Sequence, residues 1–400
     1  MNVFSKLDKL RAYIEQEDFR GYDPYDALNS PLLKSLAFNQ KYLRIAYIQL
    51  LKRLPLDLRP LLGIKKDYNP KGLGLFLWGY AKLYKFENKK IGSNKTGNKK
   101  TENEKIKKGY LGKINLIMDL LENLKSKGYS GNCWGYNFDW QSRAFYVPRY
   151  TPTIVNSSFI GHALIDTYLY TGNKKALEMA ISIKDFILND LNRKEEDGTV
   201  CFSYTPIDST AIHNANLLGA SLLIRLYKYV KDSTLKDTAL SSLAYSMKHQ
   251  RDDGSWYYAE TDYQKWIDSF HTGFNLQSIL YFLEEGFGKE YKEAFDKGVK
   301  FYSDNFFLED GTPKYYHDRI YPIDIHSPAQ AVVFFSMLGN QYNNLTEKIV
   351  KWMIDNMQDE KGFFYFQKKN NIINKIPYIR WSQAWAFHAM TGYLLSHHDI

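Results

Sequence analysis

The sequence predicts an all-α protein, a single ring of about six helical hairpins. Three observations carry this expectation. A Gly-containing turn followed by aromatic residues recurs five times at near-regular spacing. Helices with one polar stripe alternate along the chain with helices that are apolar on more than one face. The helices of the second kind open on matching polar positions.

The recurring turns are GNCWGYNF from Gly131, DGTVCFSY from Asp197, DGSWYYAE from Asp253, DGTPKYYH from Asp310 and KGFFYFQK from Lys361. Their glycines, Gly131, Gly198, Gly254, Gly311 and Gly362, lie 67, 56, 57 and 51 residues apart. A fixed period of this size is the mark of a stacked helical array. Asp-Gly supplies the positive-φ turn with which a helix ends.

Segments such as TLKDTALSSLAYSMKH carry a polar stripe and predict outer helices near 35–53, 108–127, 174–192, 234–250, 289–307 and 345–358. Segments such as GFNLQSILYFL and PAQAVVFFSML are apolar around the helix and predict an inner ring near 69–86, 152–171, 209–230, 268–286, 325–339 and 378–396. Residues 1–34 read as a leading segment packed outside the ring, and 35–400 as one toroidal domain. Asn88 to Lys108 hold eight Lys and two Glu, six of the nine net positive charges, without an apolar period. This stretch reads as a solvated loop. It lacks aromatics and Arg, which argues against a nucleic-acid or anionic-membrane patch.

Hydrophobic residues make up 44% of the chain, enough for a large core. The 32 tyrosines fit either a half-wet cleft or a biased base composition. Cys133 and Cys201 read as small core residues, with no zinc spacing around them. No apolar leader or membrane-length apolar run is visible, so a cytoplasmic protein is expected. Gly72-Leu-Gly74 lies inside a helical stretch and is no dinucleotide loop. The residues call for neither a metal nor an organic cofactor.

Inner helices that all start at one end would bring their first turns together in one cleft. Aligned, these turns give Asn156, His213, His271, His326 and Trp381, with Asn214, Asn275 and Gln383 close behind. The loops add Trp134, Asp139, Arg143, Arg149, Trp256, Tyr258, Glu260 and Arg380. Aromatic faces beside amide, carboxylate and imidazole groups suit a sugar or oligosaccharide. The arginines suit a carboxylate or phosphate on it. His271, His213 and His326 are the candidates for proton transfer, with Asp208 and Glu260 as carboxylate candidates. Asp208 and Asp268 also stand where helix N-caps belong. His271 is the first choice, with Asp268 three residues earlier.

The segment CWGYNFDWQSRAFYVPRYTPTIVNSSFIGHALIDTY, together with IHNANLLGA and DGSWYYAETDYQKWIDSFHTGFNL, resembles a family of polysaccharide biosynthesis proteins from exopolysaccharide and capsule clusters. That family is similar to the six-hairpin glycosidase-like superfamily of hydrolases, epimerases and lyases. The resemblance implies an (α/α)6 toroid, a glycan substrate and polysaccharide synthesis machinery as a partner. Epimerase- or lyase-type proton abstraction is the first expectation, inverting hydrolysis the second, and a non-catalytic glycan-binding subunit the third. Gln250-Arg-Asp-Asp-Gly254-Ser-Trp256 also resembles the Gln–Trp repeat of terpene cyclases, whose DxDD acid motif has no counterpart here.

Overall fold

The computed structural model describes residues 2–93, 97–143 and 145–397, with backbone only for 91–93 and 97–100. Six inner helices form a closed ring: α4 (Pro70–Ser93), α6 (Ile154–Thr171), α8 (His213–Val230), α10 (Ser269–Glu284), α12 (His326–Leu338) and α14 (Trp385–His397). Each packs on the next, and α14 returns to α4. Side chains are buried all along the first turns of these helices, as segments apolar on several faces require. Glycines let the backbones approach: a Cβ on Gly74 would stand 2.7 Å from Ile160. The Gly72-Leu-Gly74 pair is therefore a helix-packing feature.

Around this ring lie α5 (Gly97–Asn123), α7 (Lys174–Asn189), α9 (Ser233–Lys248), α11 (Lys292–Phe306) and α13 (Asn343–Met357). Each outer helix packs on the inner helix that precedes it in sequence. The inner-to-outer turns are short, as at Gly172, where φ is +74°. The outer-to-inner connections are long and gather at the opposite end. The sixth outer helix is α1 (Val3–Gln16), which packs on α14 through a face of Leu7, Leu10 and Ile14. The segment 1–34 is thus not a leader outside the ring, since its helix completes it.

The repeat glycines show how the hairpins are registered. A Cβ on Gly254 would meet Lys297 O of α11 at 2.6 Å, and one on Gly311 would meet Lys348 O of α13 at 2.7 Å. On Gly362 it would meet Lys9 O of α1 at 2.4 Å. These turns press their backbones against the outer helix of the next hairpin, with the last pressed on α1, while the Gly198 turn makes no such contact. Gln250 Nε2 staples the contact by donating to Gly254 O and Ala294 O, both at 2.9 Å. Gln358 Nε2 does the same with Gly362 O and Lys6 O, again at 2.9 Å.

The expected outer helix at 35–53 belongs elsewhere. Residues 22–64 carry α2 (Pro31–Leu36) and α3 (Lys41–Arg53) and have a small core of their own, Ala27, Leu28, Ile48, Leu51 and Ile64. They form a cap at the end where the long loops gather. The expected loop at 88–108 is also revised, because α4 runs to Ser93 and α5 begins at Gly97. Lys and Glu are good helix formers, so the lack of an apolar period there did not prevent helix. Residues 94–96 lie outside the described residues. No helix among the described residues is long and apolar enough to cross a membrane.

Gly362 and Gly198 provide a paired test of ring closure. Both have positive φ, but no atom lies within 4 Å of a Cβ on Gly198. Gly198→Ala should cost only the left-handed strain, about 1–2 kcal/mol. Gly362→Ala adds a backbone clash and should cost about 2–5 kcal/mol by denaturant unfolding. Equal losses would contradict the closure through α1.

Candidate active site

A cavity of about 480 Å³ opens where the inner helices begin. Its floor is made by Val155 of α6, Phe270, His271 and Phe274 at the start of α10, His326 of α12, and Lys71 of α4. Tyr136, Phe138, Trp140, Tyr204, Tyr258 and Trp266 come from the long loops. Ile45, Gln49 and Arg53, one stripe of α3, form the cap side. Trp266 stacks on Tyr258 with centroids 4.5 Å apart and planes 13° apart, giving one flat aromatic wall. Arg143 also lines the cavity, and no Asp or Glu does so among the described residues.

His271 is held in one orientation. Its Nδ1 lies 2.7 Å from Asp268 Oδ2, and its backbone N–H donates to Asp268 Oδ1 at 3.0 Å. Trp266 Nε1 donates to the same carboxylate at 2.9 Å. Asp268 is therefore the N-cap of α10 and the orienting partner of the imidazole at once. A carboxylate on Nδ1 selects the tautomer that leaves Nε2 as the proton acceptor. Phe270 lies 4.3 Å from the His271 ring and stacks at 4.5 Å on that of His326.

His326 is buried, and neither ring nitrogen has a hydrogen-bond partner among the described residues. Burial holds its pKa well below the usual value, with help from Lys71 and Arg380. Lys71 is the counterpart on α4. Its Nζ sits 4.2 Å from the Phe159 ring centroid and 5.4 Å from those of Phe274 and Trp385. Burial, then Arg380, pushes this lysine well below its ordinary pKa. Arg380 lies in a π-helical turn, Ile379–Ala384, and clasps Asp23 through Nε at 2.6 Å and Nη2 at 2.8 Å. Trp381 Nε1 donates to Asp324 at 2.7 Å, and burial pushes that carboxyl up to about 6.

The structure thus brings Arg143, Asn214, Tyr258, His271, His326, Arg380 and Trp381 to one cavity, with Asp268, Asn275 and an edge of Trp256 in a small hollow beside it. The remaining expected site residues lie elsewhere. Trp134 is core, as is most of Trp256: their Nε1 atoms donate to Leu121 O at 2.8 Å and Ser246 O at 2.9 Å. They tie each turn to the end of the preceding outer helix. His213 turns toward α9, near Ser246 and His249, and meets Glu260 at 2.9 Å, while its neighbours Ile212 and Asn214 face the cavity. Glu260 is committed to that contact outside the cavity.

Asp208 caps its own turn through Thr205 and Thr210, accepting four bonds of 2.5–2.8 Å. Asp139 accepts from Lys34 Nζ at 2.6 Å and Arg149 N at 2.8 Å, tying the cap to the ring. The Arg149 side chain lies on the surface beside Tyr150. Asn156 is buried away from the cavity lining, and Gln383 pairs with the Phe364 backbone at 2.8 Å in both directions. Lys71, Trp266, Phe270 and the α3 stripe were not expected. Lys71 carries no repeat signal, because the first inner helix lacks the Gly–aromatic turn before it.

The fold is an (α/α)6 toroid, and solved structures share it. The chain is similar to cellobiose 2-epimerase from Bacillus thermoamylovorans, with a TM-score of 0.60 and 14% identity over 82% of this chain and 87% of that one. A GH76 α-mannanase of Bacteroides thetaiotaomicron gives 0.55 at 14% identity, over 80% and 86% of the two chains. An unsaturated glucuronyl hydrolase specific for heparin gives 0.55 at 14%, over 82% and 87%. No family model and no curated protein matches the sequence, so the resemblance to polysaccharide biosynthesis proteins has no support from those comparisons.

Trp256→Ala should lower stability by about 3–5 kcal/mol in denaturant unfolding. Sugar affinity per folded molecule should not change, and a loss of affinity at full stability would return Trp256 to the site. His326 makes a pH prediction. A histidine with a lowered folded pKa contributes stability above about pH 6.5 that is lost as pH falls below it. Between pH 6.5 and 5, the stability of His326→Gln should fall less steeply than that of the parent, by about 1.4 kcal/mol per pH unit. Parallel slopes would mean that the buried ring is already charged.

Proposed function

We propose that the protein is a carbohydrate-active enzyme that moves a carbon-bound proton of an anionic sugar, as an epimerase or lyase does. The observation that carries this reading is the Asp268–His271 pair, with His271 on the wall of a cavity without carboxylates. His271 Nε2 is the base that removes the proton beside a carbonyl or carboxylate group. The His271 imidazolium formed by that step is the group that returns a proton to the sugar or to a leaving group, since burial keeps the neighbouring His326 neutral. An imidazole with one nitrogen held by a carboxylate and the other open to the cavity suits general acid–base work. Arg380 offers its remaining Nη1 to the negative charge that develops on oxygen.

Inverting hydrolysis needs two carboxyl groups about 6.5–9.5 Å apart across the bond. The cavity lining offers none, so proton abstraction is the better-supported chemistry. Lys71 and Arg53 line the cavity without an ion-pair partner among the described residues. An anionic ligand would supply the missing counter-charge and offset the cost of burying Lys71. A uronate, with its carboxylate beside the acidic carbon, meets both demands. Neighbours whose names include a sugar epimerase and a glucuronyl hydrolase favour a carbohydrate substrate. On the motif resemblance we place this chemistry in cell-envelope or extracellular polysaccharide assembly, on the cytoplasmic side.

His271→Gln keeps the shape and loses the titrating nitrogen. It should fold normally, bind the sugar and lose about 10²–10⁴-fold in turnover. Screening uronate-containing oligosaccharides by mass spectrometry for isomerised or unsaturated product gives the readout. Full turnover by a folded His271→Gln protein would overturn the assignment. Binding without turnover by the parent, left intact by the substitution, would instead establish a glycan-binding subunit.

A further inference from the structure

The cap carries a surface that the sugar site does not use. Exposed large hydrophobic residues concentrate within its sequence: Leu61 is 84% exposed, Tyr42 80%, Phe38 72% and Leu56 67%. Leu32, Leu36, Leu43 and Leu50 are exposed beside them in the chain. On α3 the division is by face. Ile48 and Leu51 enter the cap's small core, Ile45, Gln49 and Arg53 line the cavity, and Leu43, Ala46 and Leu50 form an outward stripe. A monomeric protein rarely leaves so much apolar surface in one region without a partner.

The charge around this surface says what the partner is. Lys41 and Lys65 are exposed and have no ion-pair partner among the described residues, whereas Arg44 and Lys52 turn onto Gln141 and Tyr25 and Arg53 lines the cavity. The only acid between residues 31 and 66 is Asp57, and it faces the buried Arg59 at 3.6 Å. Two copies meeting through this face would set like charges against each other, because a two-fold contact repeats the same patch on both sides. Apolar side chains among unpaired cations, on a short basic helix, fit an anionic lipid surface.

We infer that the cap, residues 31–66, docks the protein on a membrane surface rich in anionic lipid. The aliphatic and aromatic tips enter the headgroup boundary, and the Lys41 and Lys65 ammonium groups pair with lipid phosphates. No helix among the described residues is long and apolar enough to cross the bilayer. Because α3 also lines the cavity, docking sets the cleft mouth beside the membrane. This inference is independent of the reaction proposed above, and its test does not measure turnover.

Vesicle flotation of the whole protein tests it, using vesicles rich in phosphatidylglycerol against vesicles of phosphatidylcholine alone. The parent should float with the anionic vesicles only and be released by salt. Leu56→Glu/Leu61→Glu and Lys41→Glu/Lys65→Glu should each weaken partitioning by about tenfold or more while unfolding like the parent. These side chains lie outside the cavity lining, so the sugar site is left intact. No partitioning by the parent, or partitioning that neither variant changes, overturns the inference. So does a dimer in sedimentation velocity that Leu56→Glu/Leu61→Glu dissolves, because the face would then belong to a second copy.

Discussion

Ring closure is the constraint on which the rest of the structure depends. Five of the six inner helices are covered by the outer helix that follows them. The outer face of α14 is covered by α1, with Gly362 pressed on Lys9 O. The long connections gather at the end where outer helices finish and inner helices begin. From α1 the chain must therefore cross that end to reach α4. Residues 22–64, within that crossing, form the cap over the mouth. The same crossing places Asp23 against Arg380, 357 residues away in sequence, and Tyr25 against Trp381 with centroids 5.5 Å apart. The cavity is complete only because residues 23–25 meet residues 380–381.

Within that cavity the distribution of charge decides the chemistry. Carboxylates are abundant in the chain but are spent on turns, caps and ion pairs around the cavity. Asp268 orients His271 from behind, Asp23 neutralises Arg380, and Asp324 accepts from Trp381 and from the His326 backbone. What faces the open space is aromatic, aliphatic, amide, cationic or imidazole, with no carboxylate among the described residues. A buried cation without a counter-charge is unfavourable in the free protein. Lys71 answers this by losing charge readily, and an anionic ligand answers it by bringing one. The aromatic walls exclude water and strengthen whatever electrostatic contacts the ligand makes.

Much of the fold was legible in the sequence, because its repeat records a backbone contact. Gly254, Gly311 and Gly362 recur where no Cβ fits, and that demand does not depend on the side chains around them. The phase of the hairpins was not legible. Pairing each outer helix with the following inner helix gave a regular scheme that made 35–53 a ring helix and left α1 unused. Only the packing of each outer helix on its preceding partner corrects this. Repetition also misled at the site. Trp134 and Trp256 recur because they bond the end of an outer helix, an architectural task, whereas residues unique to one hairpin, such as Lys71 and Trp266, line the cavity. His271 and His326 were visible because the first inner turns do converge. His213 occupies the same column but faces the outer layer, a rotation that alignment cannot show.

The most direct measurement is turnover of uronate-containing oligosaccharides in deuterated water, with the product followed by mass spectrometry and NMR. Proton abstraction by His271 predicts a product isomerised or unsaturated at the carbon beside the carbonyl or carboxylate group. It also predicts solvent deuterium at that carbon in the isomerised product or in recovered substrate. Cleavage that adds one water, with no deuterium on carbon, would contradict the account and require a pair of carboxylates that this cavity does not present.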